Sequence, residues 1–306
     1  MDKPSPKEAG RPSGKRIKLL ALAVVVVCLL SSLLPPVQSC WRQLYDLAGL
    51  GGSETEDFTI TFLDVGAADA AVIQSPDCSV LIDGGTYDSG KKIYRRLSHM
   101  GIDHLDLMVN THPDKDHLGG FSQILYKIPV EKYWEPELPQ QLIPETEEYR
   151  LTHEALAETQ TPIQSVSAGD SIVFGEVTIQ VLSPSVSAAD TNNNSLVLKI
   201  TYSGRSILMM GDAEEKQEET LLGEDLTCDV LKVGHHGSDT STKEDFLKQV
   251  SPAIAIISSG TKNPPDEEVL DRLHKTGAEI YQTNLNGDIL LTIKDGEILV
   301  SPQKTI

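Results

Sequence analysis

Four potential metal ligands fall within six residues of this 306-residue chain, in the run His112-Pro113-Asp114-Lys115-Asp116-His117. Imidazoles and carboxylates together suit zinc, manganese or iron, and a mixed donor set this dense permits two adjacent ions. Leu118-Gly119-Gly120 follows, and the glycines let the backbone turn tightly and start a helix behind the donors. Three further polar groups have a similar setting: Asp83 in Ile82-Asp83-Gly84-Gly85, Asp212 after Gly211, and the pair in Gly234-His235-His236-Gly237-Ser238. Alone, Asp212 reads as readily as a turn or helix cap, and His235 and His236 as ordinary loop histidines. Their common placement, each just past an apolar strand, is what makes them a set.

Those strands are legible from the pattern of apolar runs. Phe58–Leu63, Ala70–Gln74 and Ser79–Ile82 read as strands, the last running into Asp83, and Leu105–Asn110 runs straight into Thr111-His112. Ser171–Phe174, Val177–Leu182, Ser195–Tyr202 and Ser206–Met210 form a second β-rich stretch, which delivers Asp212. Val230–Val233 delivers the paired histidines, and Ala253–Ile257, Glu279–Gln282, Asp288–Ile293 and Ile298–Val300 complete the strands. Helical spacing appears at Lys91–Met100, Gly119–Lys127, Thr146–Thr159, Lys243–Val250 and Asp266–Thr276. Two β-rich halves with flanking helices predict a single α/β domain over 57–306, folded as a four-layered αββα sandwich with the polar groups converging at strand ends.

In order and spacing these residues resemble the metallo-β-lactamase superfamily, and within it the hydrolase domain at the C-terminal end of the ComEC competence proteins. The likeness runs over about 57–301. It rests on Phe62-Leu63-Asp64-Val65-Gly66, Leu81–Gly85, Thr111–Gly120, Asn192–Leu198, Gly211-Asp212-Ala213-Glu214 and Leu231–Ser238. The resemblance implies a metallo-β-lactamase-like fold and two divalent ions, zinc or manganese. It implies His112 and Asp114 at one metal position, Asp116 and His117 at the other, Asp212 bridging, and His235 or His236 completing the second. Of that pair, His236 is preferred as ligand and His235 as a phosphate contact. Asp83 would orient a ligand imidazole from behind. Asn194 or Ser195 stands where lactamase-like relatives place another histidine, which weakens the first position, and Asp114 in place of a histidine makes the site harder.

Two departures from the family pattern stand out. Its Asp-Val-Gly-Gln-Gly-Asp loop is Asp64-Val65-Gly66-Ala67-Ala68-Asp69 here, and a Gly-His-Pro before an acidic helix is replaced by Asn263-Pro264-Pro265-Asp266.

Charge and the N-terminus set the context. The chain carries a formal net charge of −19, yet residues 1–40 hold six basic and two acidic side chains, leaving 20 basic and 43 acidic residues elsewhere. An acidic body repels polyanions at long range, which counts against tight, processive DNA binding, although bound divalent ions reverse the sign locally. Residues 1–16 form a basic segment, and 17–37 read as a membrane anchor or signal sequence, apolar from Leu19 to Leu34 and closed by Pro35-Pro36. The basic flank keeps the cytoplasmic side, so the domain is expected outside the membrane. It would be secreted if the signal is cleaved after Ser39, or held by a lipid if Cys40 is modified. Residues 38–56 read as a linker. Cys78 and Cys228 either pair or stay as buried thiols, and no C-x-x-C motif occurs.

The expected chemistry is hydrolysis of a phosphoester in an extracellular substrate: DNA, a nucleotide or a phosphorylated envelope polymer. Asp116 would orient the attacking water, and His235 would neutralise a phosphate oxygen. Asp64 or Asp69 would line the pocket or accept a proton, unless they serve only the turn. A role in DNA uptake would require a separate channel protein, because no apolar run after residue 37 approaches spanning length. Two other readings share the same residues: hydrolysis of a non-phosphate ester such as a lactone or thioester, and a tethered domain that binds metal or ligand without turnover.

Overall fold

The structure is a computed structural model that describes residues 57–184 and 188–305. The expected basic segment, apolar run, linker and Cys40 lie outside the described residues, among which no helix is long and apolar enough to cross a membrane. Glu54–Ile306 forms one compact unit.

Two sheets carry the fold. The first has eight strands in the order β15-β14-β1-β2-β3-β4-β5-β6. In chain order these are β1 (Phe58–Phe62), β2 (Ala71–Gln74), β3 (Ser79–Ile82), β4 (Leu107–Val109), β5 (Tyr133–Pro136), β6 (Ile163–Val166), β14 (Ile289–Lys294) and β15 (Glu297–Pro302). The second has seven, in the order β13-β12-β11-β10-β9-β8-β7. They are β7 (Ser171–Phe174), β8 (Val177–Ser183), β9 (Val197–Tyr202), β10 (Arg205–Met209), β11 (Val230–Lys232), β12 (Ile254–Ile257) and β13 (Glu279–Gln282).

Apolar side chains on the facing sides of the two sheets, among them Phe58, Ile60, Trp134, Ile179, Ile200 and Ile207, form the central core. The outer face of the first sheet is covered by α1 (Gly90–His99), α2 (Lys115–Leu118), α3 (Phe121–Leu125) and α4 (Glu147–Thr159), through Leu97, Leu118, Phe121, Ile124 and Leu156. The outer face of the second is covered by α5 (Glu215–Leu221), α6 (Glu244–Val250) and α7 (Glu267–Thr276), through Leu221, Phe246, Val250, Val269 and Leu273. A short α8 (Thr283–Asn286) follows β13. This is the four-layered αββα sandwich that the strand and helix pattern predicts. Each sheet needs both faces covered because its central strands are apolar on both sides.

Besides α8, three elements go beyond the sequence reading. β5 has the sequence YWEP and β6 the sequence IQSV. Both continue the first sheet in parallel, with Tyr133 opposite Met108 and also opposite Ile163. α5 follows Asp212 directly and buries Gln217, Glu218 and Leu221. The helix expected over Gly119–Lys127 is the shorter α3, and α2 precedes it within the motif, separated by Gly119-Gly120. The packing requires both glycines: a Cβ on Gly120 would collide with the Gly84 carbonyl oxygen, and one on Gly119 with that of Lys115. Cys78 and Cys228 are buried and free, so the thiol alternative holds.

Candidate metal centre

β3 and β4 run parallel with Ile82 opposite Val109, and β10 and β11 run parallel with Met209 opposite Lys232. Their carboxyl ends release the four polar groups: Asp83 after β3, His112 after β4, Asp212 after β10 and His236 after β11. Parallel strands bring such ends to one side of the sheet, and here both sheets contribute.

The ligand atoms of His112, His117 and Asp212 all lie within 4.8 Å of one another, as do those of Asp116, His117 and His236. His117 Nε2 lies 3.2 Å from Asp212 Oδ1, while His112 Nε2 and His236 Nε2 lie 3.8 Å and 3.7 Å from Asp212 Oδ2. Asp116 Oδ2 is 3.5 Å from His236 Nε2, and Asp114 Oδ2, on a half-exposed side chain, is 4.0 Å from His112 Nε2. Asp212 therefore sits between the two groups.

Each imidazole is held from behind. His117 Nδ1 donates to Asp83 Oδ2 at 2.8 Å, and Asp83 also accepts from the Thr111 N–H and hydroxyl, each at 2.8 Å. His236 Nδ1 donates to the Ser258 carbonyl at 3.1 Å, which leaves Nε2 facing Asp116 and Asp212. His235 belongs to none of the close groups. Its Nδ1 lies 3.0 Å from Glu214 Oε1 and 3.1 Å from the Thr240 hydroxyl, with Nε2 3.8 Å from Asp212 Oδ2. Both histidines have positive φ, +46° and +52°. Two successive non-glycine residues in the left-handed region persist only when the surroundings fix them.

The remaining expected residues fall as follows. Ser195 Oγ accepts from the Asp212 N–H at 3.1 Å and so braces a candidate ligand. The Asn194 amide is spent on its own loop, donating to the Ala188 and Asp190 carbonyls and accepting from the Ala188 N–H. Asp69 is buried behind the cluster and paired with Lys232 at 2.8 Å. Asp64 is not brought into the cluster. Its N–H donates to Asp288, and it lines a cleft with Lys92, Arg95 and Arg96. The structure adds Thr111, Glu214, Lys232 and Ser258 to the sequence-derived set. Their roles carried no recognisable signal, because each acts on a partner distant in sequence: Thr111 on Asp83, Glu214 on His235, Lys232 on Asp69 and Ser258 on His236. The two departures from the family pattern meet at Gly260: a Cβ there would lie 2.8 Å from the Ala67 nitrogen, and Gly260 exchanges backbone hydrogen bonds with Asn263.

Buried, unbonded donors and acceptors test whether an ion fits. His112 Nε2, His117 Nε2, His236 Nε2 and Asp212 Oδ1 are all buried without a hydrogen-bond partner. Such groups are costly unless something else satisfies them, and their convergence on one point suits a cation. Electrostatics agree. Burial dominates at His112 and pushes its imidazole down to about 4. Burial has the same sense at His236, but Asp212, Asp116 and Asp69 outweigh it and raise that imidazole to about 10. At His117 burial is likewise outweighed by Asp212 and Asp83, and its imidazole is held well above the usual range. The crowded carboxylates demand positive charge, which a divalent ion would supply.

Residues 63–261 match the family described as "Metallo-beta-lactamase superfamily". The chain belongs to the metallo-β-lactamase superfamily. It is 31% identical over 260 residues to ComE operon protein 3 of Bacillus subtilis, covering 77% of this chain and 33% of that protein. It is also 31% identical over 297 residues to Competence protein ComA of Neisseria gonorrhoeae, covering 92% of this chain and 40% of that one. The chain thus spans between a third and two fifths of these relatives' length. Among solved structures it is similar to the metallo-β-lactamase fold protein YhfI from Bacillus subtilis, with TM-score 0.52 and 13% identity, covering 77% of this chain and 99% of that one. A metallo-β-lactamase fold with this His/Asp cluster implies divalent metal binding and supports a metal-dependent hydrolase related to competence proteins.

Proposed function

We propose that the protein hydrolyses phosphodiester or phosphoester bonds outside the cell membrane, using two zinc or manganese ions. The convergence of three unsatisfied imidazole Nε2 atoms and the Asp212 carboxylate at the strand ends carries the reading. His112 and Asp114 would hold one ion, Asp116, His117 and His236 the other, with Asp212 shared. When bound, the ions supply Lewis acidity that activates water near neutral pH and offsets charge on the phosphoryl oxygens. Asp83 and Thr111 keep His117 in the tautomer whose Nε2 faces the site. Asp116, half-buried on the solvent side, orients the attacking water. His235, backed by Glu214, presents Nε2 toward the site and contacts a phosphoryl oxygen.

The basic segment at 1–16 and the apolar run at 17–37 support an extracytoplasmic domain attached to the membrane, with DNA, a nucleotide or an envelope polymer as substrate. A place in DNA uptake would add a separate channel protein as partner. The test follows hydrolysis of bis(p-nitrophenyl) phosphate and of single-stranded DNA by the metal-loaded protein, beside Asp116→Ala. Metal-dependent turnover lost in the variant is the expected result. Metal uptake without turnover on either substrate overturns the proposal and favours another ester or a binding role.

A further inference from the structure

Lys232 is the last residue of β11, in the interior of the second sheet, and is 2% exposed. Its ammonium donates to the Val233 carbonyl at 2.9 Å and pairs with Asp69 Oδ2 at 2.8 Å. A buried ion pair is poor evidence for stability, because apolar residues of similar volume serve a core as well or better. The question is what else the pair holds.

Asp69 answers it. It lies on the β1–β2 connection of the first sheet, whereas Lys232 belongs to the second, so the pair ties one sheet's loop to the other sheet's strand. The Asp69 N–H donates to the Asp116 carbonyl at 3.1 Å, and the Asp69 carbonyl accepts from Gly85 N–H at 2.8 Å. Its free oxygen, Oδ1, is buried and lies 3.5 Å from His236 Nδ1. Asp69 and Lys232 also share the wall of a small cavity with Asp83, Thr111 and Ser258, all behind the ligand cluster. The candidate ligands divide the same way: His112, Asp116 and His117 follow β4 in the first sheet, and Asp212 and His236 follow strands of the second. A metal site built from both must keep them in register to about 0.5 Å.

We infer that Lys232 is a positioning residue for the metal site: by anchoring Asp69 across the two sheets, it sets the separation of Asp116 from His236. The inference rests on the metal-binding reading of the cluster. Lys232 touches no substrate and no proposed ion; beside its local bond to the Val233 carbonyl, its side chain reaches the site through Asp69.

The test uses the full chain with cobalt(II) as the probe. It measures affinity by chelator competition and the visible d–d band as a report of ligand geometry, alongside the melting temperature of the metal-free protein. Lys232→Met is expected to bind cobalt roughly 10–100-fold more weakly, the usual cost of losing a group behind the ligands, with an altered d–d band. Asp69→Asn is expected to do the same. The double variant is expected to be no worse than the weaker single, because both act through one contact. Lys232→Arg, which keeps the charge, is expected to recover most of the affinity. If Lys232→Met fails to fold, Lys232→Arg and Asp69→Asn still decide the matter by affinity and spectrum. Wild-type uptake with an unchanged affinity and spectrum in the folded single variants overturns the inference alone. A wild-type protein that takes up no cobalt overturns the metal reading beneath it as well.

Discussion

Asp83→Asn isolates the support behind His117. The Asp83 carboxylate is 1% exposed and accepts three hydrogen bonds, from His117 Nδ1, the Thr111 hydroxyl and the Thr111 N–H. An asparagine has nearly the same shape but only one acceptor oxygen, and its NH2 must face one of those donors. If the oxygen stays on the Thr111 N–H, the imidazole loses its partner and the tautomer that aims Nε2 at Asp212 is no longer enforced. Losing such a partner typically costs about 10–100-fold in metal affinity, equivalent to roughly 1.4–2.8 kcal/mol. One unsatisfied buried donor costs a further ~1–3 kcal/mol of folding stability. At roughly 2–4 °C per kcal/mol for a domain of this size, melting should fall by several degrees without loss of the fold. Zinc affinity by chelator competition, at a temperature where circular dichroism shows a folded variant, is the assay. A folded Asp83→Asn protein with wild-type zinc affinity would refute the reasoning, since the carboxylate would then do nothing for the ligand.

Other perturbations separate roles that the geometry keeps apart. His236→Ala should reduce bound metal, whereas His235→Ala should retain it and lose ~10²-fold or more in turnover; metal analysis beside kinetics decides, and reversed outcomes would exchange the two assignments. Glu218 is 2% exposed and accepts from the Thr242 and Lys243 N–H groups, yet burial outweighs these bonds and pushes its carboxyl up to about 7 from 4.5. The folded protein then binds a proton that the unfolded chain releases between those values. Its contribution to stability is full below pH 4.5 and is lost as pH rises toward 7, by about 3 kcal/mol. Urea titrations from pH 5 to 8 should show this slope in wild type and its loss in Glu218→Gln. Burial raises the Cys78 thiol to about 11 and the Cys228 thiol to about 12, so both should resist a thiol reagent at pH 8 until denaturant is added.

The positions where the site was legible share one property. β3, β4 and β10 each end in buried apolar residues, β11 is the short buried run Val230–Lys232, and the polar groups follow each strand within a few residues, so the fall in hydrophobicity marks roughly where each strand stops. β5 and β6 lack that contrast. Glu135 in β5 faces His153 of α4 at 3.2 Å, and Ile163 in β6 is largely exposed, so neither strand reads as an alternating or a continuous apolar run. Partners fixed by tertiary approach were hidden for a different reason. Lys232 looks like a polar interruption in Leu231-Lys232-Val233 until Asp69 is placed against it. Glu214 likewise reads as ordinary helix-start acid until the His235 loop folds over it. The opposite error befell Asp64. Asp64 was expected, like Asp69, to line the pocket or accept a proton unless it served only the turn; the chain turns between the two at Gly66, where φ is +89°, and Asp64 lines a cleft on the α1 side.

The measurement that bears most directly on the account is an anomalous-difference map from crystals grown with zinc or manganese. Two peaks should appear, one beside His112 and Asp114 and one among Asp116, His117 and His236, with Asp212 between them. Peaks elsewhere, or no ordered metal among these residues at saturating concentration, would contradict the assignment of this cluster as the metal centre.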